Sequence, residues 1–191
     1  MGEIMKKLAF ILITFVLSNS LVLLAQDAPA FQAPGPGPER AKLGFLIGNF
    51  TTETHIMPSP MSEKETVGKG NSNLAWGVDS MFVLMNDQSL NPMMGNYKAH
   101  GVLGYDMREK KYILSMFNNF GDNPQYRGTM NGDTLTLTSK INFPQGSFDQ
   151  KLVWFKEGNN VRLKIFNDMG DGYTLVIDQT ATPSGEGAQT K

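Results

Sequence analysis

The sequence predicts an all-β domain: an antiparallel up-and-down barrel of about ten strands with one short helix before the first strand. Three observations carry this. Apolar residues alternate with polar ones along most of the chain, the period of a strand with one wet face. Turn residues separate these runs at short intervals, at Asn131-Gly132, Gly158-Asn159-Asn160 and Gly170-Asp171-Gly172, and supply the positive-φ positions of tight hairpins. No helical pattern intervenes between the runs. Short links force antiparallel neighbours, and a long meander removes its edges by closing on itself. A two-sheet sandwich is the alternative architecture.

The elements follow in chain order. Lys6 and Lys7 precede an apolar run from Leu8 to Leu17, which resumes from Leu21 to Ala25 after Ser18-Asn19-Ser20. This is the layout of a secretory signal peptide. We expect export to the periplasm or the medium, with cleavage after Ala25; a cut after Ala30 and a start at Met5 are the variants. A retained anchor is the competing reading of residues 8–25, which sit at the lower length limit for crossing a bilayer. No later apolar run reaches that length, so no membrane association is expected once the leader is removed.

Residues 26–38 hold Pro29, Pro34, Pro36 and Pro38 and read as a linker. Leu43, Leu46 and Ile47 are helically spaced, with Pro38 suited to the start and Gly48 to the end of a helix from Glu39. The expected strands are 49–57, 65–76, 78–86, 96–105, 110–119, 124–130, 133–140, 147–157, 160–168 and 173–182. Residues 39–182 thus form the domain, and 183–191 a disordered tail.

Composition excludes several functions. The chain has no cysteine, which removes disulfides, thiolate metal sites, cysteine nucleophiles and a lipoprotein anchor. Its net charge is -1, with Lys and Arg unclustered, so it lacks the basic footprint of a nucleic-acid partner.

Certain residues carry a resemblance. Leu43-Gly44-Phe45-Leu46-Ile47-Gly48-Asn49-Phe50 resembles the Gly-x-Trp opening of calycin-type barrels, with Phe50 at the Trp position. Gly101-Val102-Leu103-Gly104-Tyr105-Asp106, followed by Lys110-Lys111-Tyr112, resembles the core of a family of small, mostly bacterial exported proteins of unknown function with lipocalin-like barrels. The resemblance implies the fold over residues 42–182 and no reaction. Members often carry Trp and Asp in the strand after Gly-Tyr-Asp; here Met116 and Asn118 stand there, and an activity needing that Asp is not carried over.

The leading functional expectation is non-covalent binding of a small, largely apolar molecule in the barrel. Phe50, Tyr97, Tyr105, Trp154 and Tyr173 are expected to line the cavity, with the adaptable thioether of Met116. The first strand would face inward with Phe50, Thr52, Thr54 and Ile56, and the last two with Val161, Leu163, Ile165, Tyr173, Leu175 and Ile177. The competing class is a structural or protein-interaction domain with a filled core, using an outer patch at Phe155 and Phe166.

No metal site and no cofactor are expected. Met57, Met61, Met93 and Met94, helped by His55 and His100, are the residues copper would use. Haem through His100 is the other minor reading, but both histidines read as surface residues. No enzyme is expected. Ser115, His100 and Asp106 form no constrained set, and an enzyme would need a buried polar cluster that the sequence does not display. Asp106, Asp122, Asp168 and Asp171 fall at turns, where Asp serves the backbone.

Overall fold

The computed structural model describes residues 35–185 except Pro60, Met61, Met94 and Gln145. The leader, its cleavage site, most of the linker and residues 186–191 of the tail lie outside the described residues. Among those described, no helix is long and apolar enough to cross a membrane.

The described chain opens with α1 (Gly37–Ala41), which runs directly into a 3-10 helix over Lys42–Leu46. A single helix reaching Gly48 was expected. The tighter winding has a reason: Leu43 and Leu46 are three residues apart, and at three residues per turn they fall on one face. Both are fully buried. Pro36 and Tyr105 offer backbone carbonyls to the buried Arg40 guanidinium, at 2.9 and 3.1 Å. The Tyr112 hydroxyl donates to the Glu39 carbonyl at 2.8 Å. The segment is thereby bolted across one end of the sheet.

Ten strands follow: β1 (Gly48–Ile56), β2 (Thr66–Gly77), β3 (Phe82–Asn91), β4 (Gly95–Asp106), β5 (Lys111–Asn118), β6 (Gln125–Asn131), β7 (Thr134–Phe143), β8 (Gly146–Glu157), β9 (Asn160–Asp168) and β10 (Tyr173–Pro183). Each pairs antiparallel with its neighbours in sequence, and β1 pairs with β10, closing the barrel. Closure excludes the sandwich. Pro183, expected to begin the tail, instead pairs with Phe50.

The third strand differs from expectation. Residues 78–86 were assigned to it, but Val78, Asp79 and Ser80 all have positive φ and form the turn. The strand therefore starts at Phe82, opposite Gly77, and runs on to Asn91. The turn lacks the Gly or Asn that usually marks such a conformation, so the pattern hid it.

Glycine lets the wall curl where strands approach. A Cβ on Gly128 would lie 1.8 Å from the Thr136 carbonyl oxygen and 2.8 Å from Leu137 Cα. No side chain fits there without parting β6 from β7. The interior is packed at the helix end, where Leu43, Val83, Leu103, Leu114, Leu135 and Leu137 are all fully buried.

Candidate functional site

Above that packed floor the barrel is open. A cavity of about 810 Å³ runs from Leu46 of the 3-10 helix to the loops at the opposite end. Alternation fixes which residues reach it. Phe50, Thr52, Thr54 and Ile56 line it from β1, Phe148, Leu152 and Trp154 from β8, and Val161, Leu163 and Ile165 from β9. The β1 and β9 faces, and Trp154 on β8, are those read as inward from the sequence.

Four of the six expected cavity residues line it: Phe50, Tyr97, Met116 and Trp154. Two do not. Tyr105 lies on the inward face of β4 but below the floor, where its ring meets Tyr112 edge-on at 5.1 Å. Tyr173 is on the outer wall, 42% exposed, with the Lys151 ammonium 4.1 Å from its ring centre. The cause is one extra residue. The β9–β10 register slips between Leu175 and Ile177, leaving Val176 as a bulge that reverses the parity of the strand. Tyr173 and Leu175 consequently share the outer face with Phe166, while Ile177, Gln179 and Ala181 turn inward.

The structure also holds a feature that was not expected, an enclosed polar cluster. Asp87 on β3 points into the cavity and accepts a hydrogen bond from the Ser72 hydroxyl of β2. Tyr97, Asn118 and Tyr126 line the cavity from β4, β5 and β6. The Tyr126 hydroxyl donates to Gln150 Oε1 at 2.6 Å, and Gln150 Nε2 donates to Asn167 Oδ1 at 2.9 Å. Asp87 keeps some surface open to the cavity, but the wall encloses it otherwise. That burial pushes its carboxyl above the usual carboxylate range, only partly offset by the Ser72 hydroxyl. Burial, reinforced by the Asp87 charge, pushes the Tyr97 phenol up to about 12. Burial also raises Tyr126. Both phenols are therefore neutral hydrogen-bonding groups near neutral pH.

Asp87 escaped the sequence reading because the expected third strand stopped at residue 86. Met85, Asp87 and Ser89 keep the period of two, and that alternation was the available signal.

The other candidates lie elsewhere. His55 is on the outer wall between Glu65 at Nδ1 and Glu53 at Nε2. His100 bonds Asn86 on the outer face at 2.8 Å. Six residues of β4 separate His100 from Asp106, about 20 Å at ~3.3 Å per residue, which dissolves the Ser115–His100–Asp106 set. Asp106 caps a turn through the N–H groups of Arg108 and Glu109, and Asp168 does the same for Gly170 and Gly172. Asp122, expected only to serve a turn, also lines the cavity. Among the described residues no group of three or more His, Asp or Glu side chains could hold a metal ion. Met61 and Met94 lie outside those residues. On the outer wall, Lys151 covers the Phe166 ring at 4.7 Å and Lys164 the Phe155 ring at 6.0 Å, so ammonium groups sit over both rings of the expected patch.

No curated protein matches the chain. A family model described as "Protein of unknown function (DUF1579)" matches residues 35–176, from the start of the helical plug to the bulge of β10. That match spans more than half of the sequence, and the chain belongs to this family of unknown function.

Proposed function

We propose that the barrel binds a small, largely apolar molecule non-covalently. The observation that carries this reading is the cavity of about 810 Å³, walled by Phe50, Trp154, Leu163 and Ile165. Protein interiors are otherwise close-packed, and a cavity of this size, apolar over most of its lining area with polar side chains among the apolar ones, has the form of a small-molecule site. A filled-core structural domain needs no such space. An enzyme would draw on Asp87 and Ser72, but both histidines are on the outer wall, and binding accounts for the cavity without a proton-transfer partner. The calycin resemblance at Gly48–Phe50 agrees with this reading.

We infer that the leader exports the protein, with the mature chain starting at Gln26, because its basic, apolar and small-residue segments follow the order that export machinery reads. The intact mass of the protein from the export compartment tests this directly.

The binding test is native mass spectrometry of protein from that compartment, followed by denaturing extraction. The expected result is a reproducible co-purifying compound, lost on Trp154→Arg or Tyr97→Trp while the circular dichroism is unchanged. Copper or haem mass would replace the apolar ligand with one of the minor readings. An apo mass, together with no thermal stabilisation across a lipid and metabolite panel, would overturn the binding reading in favour of a structural or interaction domain.

A further inference from the structure

The two sides of the cavity differ in kind. The closed strand order makes β2–β6 one continuous arc and β7–β10 with β1 the other. The second arc presents mainly Phe50, Leu152, Trp154, Leu163, Ile165 and Ile177, interrupted by Thr52, Thr54, Ser139, Gln150 and Gln179, with Lys140 and Asn142 toward the β7–β8 turn. The first arc presents Ser72, Asp87, Tyr97, Asn118 and Tyr126, with Asp122 on the loop after β5. Its apolar strand members Leu74, Met85 and Met116 are nearer the floor, each one inward position closer to it than Ser72, Asp87 and Asn118.

Asp87 is the focus of the polar arc. Its ladder partner on β2 is Ser72 and on β4 is Ala99, so the β4 side of the carboxyl meets only a methyl group on its own rung. None of the ion pairs among the described residues includes Asp87. An ionised carboxyl enclosed without a cation is costly. A ligand carrying positive charge would offset that cost, and an anionic ligand would add to it. The facing arc calls for a hydrocarbon or aromatic body.

Resting on the binding reading above, we propose that the ligand is an amphiphilic amine, its ammonium held by Asp87 and its apolar body lying along the β8–β10 wall. Tyr97 faces Ser89, one inward position from Asp87 on the β3–β4 ladder, and feels the Asp87 charge; an aromatic ring on the same arc is a second group of the kind that holds ammonium ions. The Tyr97 phenol is held neutral, so it adds no competing charge.

The test uses decylamine, decanol and decanoate, which share one apolar body and differ in the head. Near neutral pH the amine is cationic and the acid anionic. Trp154 lines the cavity and reports binding by fluorescence in a Trp76→Phe background, which removes the only other tryptophan. Decylamine is expected to bind ~10-fold tighter than decanol, with decanoate weakest, the scale of one desolvated charge pair. Asp87→Asn is expected to abolish that preference and leave decanol within about twofold. Circular dichroism confirms that the variant folds; Asp87→Ser, which also removes the charge, serves if Asn does not. Equal binding of amine and alcohol, tighter decanoate, or a preference that survives Asp87→Asn would overturn the amine assignment and leave the binding reading standing. Failure of all three probes to perturb Trp154 would overturn both.

Discussion

A pair of leucine truncations tests whether the cavity exists in solution. Leu137 on β7 is fully buried in the packed half; Leu163 on β9 lines the cavity and is only partly buried. Leu→Ala removes three carbons, worth about 0.8 kcal/mol each when fully buried, or about 2.4 kcal/mol. At Leu137 the loss also leaves an enclosed void, which raises the expected cost to about 3–5 kcal/mol. At Leu163 about half the transfer term applies, ~1.2 kcal/mol, since the side chain was already partly open. The vacated space merges with the existing cavity, so no new void is enclosed. The expected gap is about 2–4 kcal/mol, equivalent to roughly 4–16 °C in melting temperature for a domain of this size. Urea denaturation of protein refolded free of ligand measures both values on one scale, with unchanged slopes indicating comparable unfolded states. Costs equal within about 0.5 kcal/mol would mean that Leu163 is packed as tightly as Leu137. The cavity would then be absent in solution, and the binding reading would lose its main support.

Three further outcomes are expected. Gly128→Ala pushes a methyl group into the β7 backbone and should cost about 3 kcal/mol or more, whereas Gly44→Ala, with no atom within 4 Å of its Cβ, should stay within about 1 kcal/mol; equal melting temperatures would refute the close approach. Glu65 and Glu53 hold the His55 imidazole above its ordinary value. Its contribution is therefore present below about pH 6.5 and is lost as pH rises through the raised folded value. His55→Gln should lower the melting temperature near pH 6 and leave it unchanged near pH 9, and a pH-independent effect would count against the pairing. Burial holds the Asp87 carboxyl above its ordinary value, so its contribution is present below about pH 4 and lost as pH rises through the folded value. Asp87→Asn should therefore stabilise the ligand-free protein near pH 8 and lose that advantage near pH 4, as urea midpoints at the two pH values will report.

Much of the wall was legible residue by residue. Val161, Leu163 and Ile165 face inward as their alternation with Arg162 and Lys164 implied. Phe50, Thr52, Thr54 and Ile56 do the same on β1. Two local irregularities account for what was missed. The Val78–Asp79–Ser80 turn displaced the third strand and hid Asp87, because none of its three positive-φ residues is glycine or asparagine. The Val176 bulge sent Tyr173 outward, because an added residue leaves the alternation intact on either side while reversing which face it names. Tyr105 was assigned to the correct face but the wrong depth: the floor is set by Leu43 and Leu46 of a helical plug, and strand periodicity carries no information about depth.

By itself the sequence determined the order of ten strands, their antiparallel pairing and the helical plug, since short links and period-two patterning are local properties that restrict the topology to neighbours. The tertiary structure decided between the expected closed barrel and the sandwich by pairing β1 with β10, and it alone decided that the packing stops short of the open end and that Ser72, Asp87, Tyr97 and Asn118 meet on one arc. These residues come from four strands and face one another only through the register of three ladders. Alternation states that a residue faces one side or the other; closure and bulges decide which side is inside, and at what height.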